Sequence, residues 1–189
     1  LESDAERWDR KYLNKQHVID LKPDPLLIRH AGLFNPNDIV IDLACGGGRH
    51  AIYLSSLGCI SVAIDCSRRA IDRCKKVAGE TGLPIHAFIA DLDCYRFAPQ
   101  CADAVICFNY LNRKLIDNVC TALKPGGIVI FKTFNENFTI TNPNFNSDYT
   151  LAPGELTGMF SGFETIEVDD SCAPETNSKS FIVARKLQV

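Results

Sequence analysis

Three aspartates and one glycine cluster carry the chemistry that spacing alone can reveal. Asp42 opens the segment Asp42-Leu-Ala-Cys-Gly-Gly-Gly48, Asp65 follows the apolar run 59–64, and Asp91 follows the run 85–90. Glycines at a strand-to-helix turn let the backbone approach a ligand closely, and the helix beyond offers N–H groups with no internal partner. A carboxylate at the end of the second strand of such a unit typically accepts both hydroxyls of a ribose. The pattern therefore predicts a nucleotide-like ligand. Gly46-x-Gly48 followed by Arg49-His-Ala51 also fits a dinucleotide fingerprint with Ala at its last place, so a nicotinamide cofactor stays open on spacing. Each aspartate has a structural reading as well. Asp42 can brace the loop, Asp65 can cap the next helix, and Asp91 can form a turn.

Other side chains near these strand ends invite a role. Among His17, His30, His50 and His86, only His50 stands beside the glycine loop, on the first turn of a helix, where capping or a partner contact competes with catalysis. Asn109 follows the fourth strand and can satisfy backbone groups there. Arg113 lies shortly after and can orient an anionic substrate through paired N–H groups or form a surface salt bridge. Phe134, Phe138 and Tyr149 can wall a pocket or anchor the polar segment 135–152.

These residues need a scaffold, and the apolar periodicity supplies one. Ser3-x-x-Glu6 is a capping box, with Trp8, Tyr12 and Leu13 behind it at helical spacing. A short helix over 26–31 follows Pro23 and Pro25. Runs at 38–44, 59–64, 85–90, 102–108 and 128–134 read as strands buried on both faces. Helices are expected between them: from the glycine loop to about Gly58, from a Ser67 cap to Glu80, and over 113–123 before Pro125-Gly-Gly127. Such alternation predicts a parallel sheet covered by helices. Two further strands, 162–168 and 180–186, are joined by a connection too short for a helical crossover and predict an antiparallel hairpin. The expected fold is α/β: a Rossmann-like three-layer sandwich around a mostly parallel seven-stranded sheet with an antiparallel C-terminal hairpin strand.

The chain's 189 residues predict one domain, residues 1–189. A net charge of −3 argues against a general nucleic-acid grip. No run of about 18 apolar residues predicts a membrane span, and the first residues lack the basic and apolar regions of a secretory signal. Nine scattered cysteines, none two residues from another, predict structural thiols in a reducing compartment and no metal site. A cytoplasmic protein, monomeric or homodimeric, is the expectation.

Taken together, Ile41-Asp-Leu-Ala-Cys-Gly-Gly-Gly48, Ala63-Ile-Asp65, Ala90-Asp-Leu92 and Leu123-Lys-Pro-Gly-Gly127 resemble the class I S-adenosylmethionine-dependent methyltransferases. Trp8-Asp-Arg-Lys-Tyr12 and Tyr149-x-Leu-x-Pro-Gly-Glu-Leu156 look like the small tellurite-resistance-type branch. The resemblance runs from about Trp8 to Lys186. It departs at Ala44, where many members carry Gly. It implies S-adenosylmethionine as cofactor and S-adenosylhomocysteine as product. Ala44, Cys45, Gly46 and Gly48 would bracket the methionine part, with Asp42 opening their loop. Asp65 would hold the ribose hydroxyls with Cys66 beside the adenine, Asp91 would accept from the adenine amino group, and the Leu92 amide would sit near a ring nitrogen. Asn109 would line the methyl-transfer face, and Tyr12 would close over the methionine end. Residues 1–32 would form a helical cap and 135–152 a substrate-side loop.

The implied activity is in-line methyl transfer to a small-molecule acceptor. Candidates for positioning that acceptor are Asn109, Arg113, Tyr149 and His50. The Asn/Asp-Pro-Pro-aromatic signature of nucleic-acid amino methylation is absent at Asn109-Tyr-Leu111, which favours a small molecule over a base. Two other readings remain at this level: a non-catalytic cofactor-binding regulatory subunit, and a nicotinamide-dependent oxidoreductase with Asp65 on the ribose.

Overall fold

A computed structural model describes residues 3–13, 21–172 and 178–188. Its elements in chain order are α1 (Asp4–Leu13), α2 (Pro25–Arg29), a 3-10 turn at Ala31–Leu33, β1 (Ile39–Leu43), α3 (Arg49–Ser56), β2 (Ile60–Asp65), α4 (Arg68–Thr81), β3 (Ile85–Ile89) and β4 (Ala102–Phe108). A 3-10 turn at Arg113–Leu115 then leads into α5 (Ile116–Ala122), β5 (Leu123–Phe134), α6 (Asn137–Thr141), a 3-10 turn at Ser147–Tyr149, α7 (Glu155–Met159), β6 (Phe163–Asp169) and β7 (Lys179–Lys186). The strands form one seven-stranded sheet in the order β3-β2-β1-β4-β5-β7-β6, the mixed Rossmann-like sheet expected from the sequence. Contacts divide the chain into two compact units, Leu1–Arg96 and Phe97–Val189.

In the first unit β1, β2 and β3 are parallel, with Leu43 opposite Ile64 and Asp65 opposite Ile89. Parallel strands in register end together, so the turns after all three open on one edge. Val40, Ile41 and Leu43 are buried, as a strand covered on both faces requires. The α4 helix starts where the Ser67 Oγ accepts from the Ala70 N–H (3.2 Å), and stops at Gly82, whose left-handed φ of +66° ends the turn. The capping box of α1 forms as expected: Ser3 N–H donates to Glu6 Oε2 (2.9 Å) and Glu6 N–H to Ser3 Oγ (3.3 Å). His17 lies outside the described residues.

In the second unit β4 and β5 are parallel, and β7 is antiparallel to both β5 and β6. The hairpin relation expected of the last two strands is present, with residues 173–177 of its connection outside the described residues. Two boundaries differ from expectation. The region 113–123 opens as a 3-10 turn, because the Asn112 side chain accepts from the Lys114 N–H (3.0 Å) and tightens it. β5 begins at Leu123, not 128, because Leu123 already pairs with Ala102 and the ladder resumes at Ala104–Ile128. The residues between bulge out, and Gly127 permits it: a Cβ there would lie 2.9 Å from the Lys124 carbonyl oxygen.

Candidate functional site

The glycine loop of the first unit is held in a conformation that few residue types tolerate. Ala44, Gly46 and Gly48 have φ of +52°, +55° and +82°. The Cys45 N–H donates to the Ile64 carbonyl (3.0 Å), the Gly48 N–H to the Cys45 carbonyl (3.0 Å), and the Ile52 N–H to the Gly48 carbonyl (2.8 Å), which starts α3. Ala44 thus takes up a left-handed backbone that costs an L-residue about 1–2 kcal/mol and glycine nothing. Glycine at this position would relieve that strain.

Asp65 closes over that loop. Its Oδ2 accepts from the Gly46 N–H (2.8 Å), and its Oδ1 accepts from the Ser67 N–H (2.8 Å). Asp65 is buried, and burial pushes its carboxyl upward against the Ser67, Gly46 and Cys66 N–H groups and the Cys66 thiol, which favour the anion. Asp42 sits deeper. It is 1% exposed, and its Oδ2 accepts from the Ala51 N–H at 3.2 Å, which fastens the first turn of α3. Burial pushes its carboxyl up to about 7, with Asp65 adding to the rise.

Tyr12 of α1 reaches the same loop: its hydroxyl oxygen is 2.5 Å from where a Cβ on Gly46 would stand. Burial, with the charge of Asp65 next, holds its phenol well above the usual range. The α1 helix is latched by Asp9, whose Oδ1 accepts from the Ser67 hydroxyl (2.6 Å) and from the Arg69 N–H (3.2 Å) at the start of α4. Asp9 lay inside the quoted Trp-Asp-Arg-Lys-Tyr motif without a role. No spacing rule reveals a cap delivered from 58 residues away.

Cys45 and Cys74 are buried and Cys66 is half-buried. Burial drives the Cys45 thiol well above its ordinary value and those of Cys66 and Cys74 to about 11, so all three are protonated thiols at neutral pH. Asp91 is exposed, and its Oδ1 accepts from the Asp93 N–H (2.9 Å), an Asx turn beside the buried Leu92. His50 is 3% exposed on the first turn of α3.

In the second unit, Asn109 follows β4 with φ of +60°, a conformation Asn tolerates better than most residues. Its Oδ1 accepts from Lys179 Nζ (2.5 Å), and that ammonium stands 4.8 Å over the Phe134 ring. Phe134, Phe138 and Phe145 stack on one another, with centroids 4.2 to 5.4 Å apart. The Arg113 guanidinium is committed to the chain: Nε and Nη2 donate to Glu155 (2.5 and 3.0 Å), Nη1 to the Asp148 carbonyl (2.6 Å) and Nη2 to the Thr150 carbonyl (2.9 Å). Arg113 therefore staples segment 148–155. That segment is pinned again where the Leu151 N–H donates to the Phe134 carbonyl (3.0 Å) and the Glu136 N–H to the Leu151 carbonyl (3.0 Å). Tyr149 lies on this staple, partly exposed. Nothing in the sequence marks Lys179 as the partner of Asn109, and the quoted motif 149–156 contains Glu155 without naming Arg113 as its partner.

Residues 40–127 match a family described as a methyltransferase domain. The ubiquinone biosynthesis O-methyltransferase of Coxiella burnetii is 32% identical over 138 residues, covering 62% of this chain and 59% of that protein. The chain thus spans about three fifths of this relative's length. TehB from Haemophilus influenzae superimposes with a TM-score of 0.72 at 20% identity, over 96% of this chain and 66% of that one. A methyltransferase from Methanosarcina mazei does so with a TM-score of 0.69 at 19% identity, over 89% of this chain and all of that one. The fold is that of these methyltransferases, and residues 40–127 carry the methyltransferase-domain pattern. S-adenosylmethionine is the ligand against which the site is compared. The first unit bears on such a ligand through a glycine loop whose Gly46 is covered by the Tyr12 hydroxyl and a strand-end carboxylate bonded to that loop. Among the described residues, no helix is long and apolar enough to cross a membrane.

Proposed function

We propose that this chain methylates a small-molecule acceptor, with residues 1–189 acting as a single methyltransferase domain in the cytoplasm. The observation that carries the reading is the junction of Asp65, Gly46 and Tyr12, where a carboxylate, a bare backbone position and a phenol converge on one loop. Asp65 holds the ribose hydroxyls. Gly46, Gly48, Ala44 and Cys45 cradle the methionine portion beneath Tyr12. Asp91, Leu92 and Cys66 serve the adenine. The bound cofactor supplies an electrophilic methyl group on a sulfonium, and the protein's part is alignment and exclusion of water.

Acceptor recognition falls to the second unit. Asn109 and Lys179 offer polar groups beside the apolar wall of Phe134. Arg113 contributes through the staple that orders 148–155. The relatives' name directs the acceptor search first to hydroxyl groups, and the resemblance of Trp8–Tyr12 and Tyr149–Leu156 to the tellurite-resistance-type branch directs it next to soft nucleophiles.

Thermal-shift titration with S-adenosylmethionine, S-adenosylhomocysteine and NAD tests the cofactor. A ligand at a hundred times its dissociation constant adds about 2.7 kcal/mol, a rise of several degrees. Stabilisation by the first two alone is the expected result, and stabilisation by NAD alone refutes the reading. Methyl transfer is then scored on a panel of phenols, thiols and selenium or tellurium oxyanion-derived acceptors. Binding without turnover on every class leaves a regulatory, non-catalytic subunit in its place.

A further inference from the structure

A strand at the edge of a sheet offers a row of unpaired N–H and C=O groups to any other strand, and proteins blunt such an edge with charge, proline or a bulge. The two edges of this sheet, β6 and β3, are treated differently. β6 carries Glu164, Glu167 and Asp169, and its register with β7 slips between Thr165 and Glu167. A second copy pairing there would bring carboxylates face to face. β3 reads Ile85-His-Ala-Phe-Ile89, with no Lys, Arg, Asp, Glu, Pro or Gly, and its register with β2 runs unbroken from Ile85 to Ile89. No side chain of β3 sets like charges against a second β3.

The ladder to β2 fixes which groups of β3 face outward. The Ser61 N–H donates to the Pro84 carbonyl (3.0 Å), and the Ala90 N–H donates to the Asp65 carbonyl (3.1 Å). Residues 84, 86, 88 and 90 therefore turn their main chain toward β2, and Ile85, Ala87 and Ile89 turn theirs to the open edge. The Ile85 N–H bends back to the Leu83 carbonyl (2.8 Å), which leaves the N–H groups of Ala87 and Ile89 and the carbonyls of Ile85, Ala87 and Ile89 along the edge. Among the described residues, β2 is the only strand paired with β3. The Ile89 side chain is 42% exposed there, and Phe88 is half-buried against Tyr95, with ring centroids 5.6 Å apart.

We infer that β3 is the interface to a second copy of this chain, with the two strands antiparallel about a two-fold axis at Ala87. That axis sets Ile85 opposite Ile89, His86 opposite Phe88 and Ala87 opposite itself. Outward-facing residues then meet outward-facing residues: the Ala87 N–H and carbonyl exchange bonds across the axis, and each Ile89 N–H donates to the Ile85 carbonyl of the other copy. Alanine is small enough to face itself at the axis, and the β-branched isoleucines pair well across strands. Moving the axis to His86 would set Ile89 against Leu83, beyond the strand, and moving it to Phe88 would set Ile85 against the exposed Asp91. A contact of this kind is self-complementary and closes at the dimer. An edge of 5 residues is small beside the roughly 1,200–2,000 Å² of a stable interface, so the pairing is reversible and depends on concentration.

Sedimentation velocity over a concentration series from micromolar to near-millimolar tests it with the parent chain. The boundary is expected to move from the monomer's value toward the dimer's as concentration rises. Residue-resolved hydrogen exchange at both ends of the series reads which surface is covered. Exchange at Ala87 and Ile89 should slow by about 10-fold in the dimer, whereas exchange at His86 and Phe88, already bonded to β2, should stay as it was. Ile89→Lys puts a charge on the exposed edge and should hold the chain monomeric throughout, and Ile166→Lys on β6 should associate like the parent. If Ile89→Lys fails to fold by circular dichroism, the exchange pattern of the parent decides alone. A parent that stays monomeric across the series overturns the proposal and leaves β3 to a different protein. A dimer that protects β6 or another segment in place of Ala87 and Ile89 overturns it, as does a folded Ile89→Lys that dimerises like the parent.

Discussion

Replacing Asp42 with Asn removes a carboxyl that the fold keeps away from water. A free aspartate ionises near pH 3.9, whereas Asp42, buried and facing the charge of Asp65, is pushed up to about 7. Between those values the unfolded chain has lost this proton and the folded chain still holds it. The folded state then binds more protons than the unfolded state, so stability falls as pH rises through the window. Below about pH 4 the group costs nothing, and above about pH 7 the loss is complete. At about 1.4 kcal/mol per pH unit, Asp42 alone removes about 3 kcal/mol between pH 5 and pH 8. The asparagine variant does not titrate, and its amide oxygen can still accept from the Ala51 N–H. Its NH2 group needs a partner of its own, a cost on the order of 1 kcal/mol at every pH. Urea denaturation followed by circular dichroism at pH 5, 6, 7 and 8 gives both curves. The parent should lose about 3 kcal/mol relative to Asp42→Asn over that range, and the variant should be the more stable protein at pH 8. Parallel curves would falsify the argument, because they would mean that burial does not hold the proton on Asp42.

Three other substitutions probe the scaffold around the site. Ala44→Gly should raise stability by about 0.5–1 kcal/mol, the relief at a φ of +52° less the extra entropy of a glycine when unfolded; an unchanged melting temperature would count against strain in the loop. Asp9→Ala removes the acceptor for the Ser67 hydroxyl and the Arg69 N–H, a cap worth about 1 kcal/mol, and hydrogen exchange should speed up across residues 4–13 and at the start of α4 while β1 stays protected. Arg113→Ala frees Glu155 and the carbonyls of Asp148 and Thr150, so exchange should quicken over 148–155; if that segment stays protected, the Leu151 bridge alone secures it.

Whatever the chain encodes locally was legible in advance. The β1 strand reads as a run of apolar residues because both of its faces are covered, and Ser67 reads as a cap because a serine before an amphipathic stretch can satisfy an orphan N–H. The early start of β5 was hidden because Pro125-Gly-Gly127 is an equally good signal for a turn and for a bulge. Only the pairing of Leu123 with Ala102 separates the two, and that pairing is a tertiary fact.

The same division explains which site residues could be read and which could not. Asp65 is bound to the loop by topology: once β1 and β2 run parallel and in register, the residue ending β2 must lie beside the turn that leaves β1, so its bond to Gly46 follows from the strand pattern. Asp9, Arg73 and Lys179 obey no such rule. Asp9 acts on a helix that begins at residue 68, Lys179 bonds to Asn109 across 70 residues of sequence, and Arg73 is defined by a bond it does not make. In a solvated chain an arginine without a partner is unremarked, because water satisfies it. It becomes informative only when packing takes the water away, and packing is what one sequence does not display. Around this loop, then, periodicity locates the carboxylate and the glycines, whereas the buried, unpartnered Nη1 of Arg73 emerges only from the folded structure.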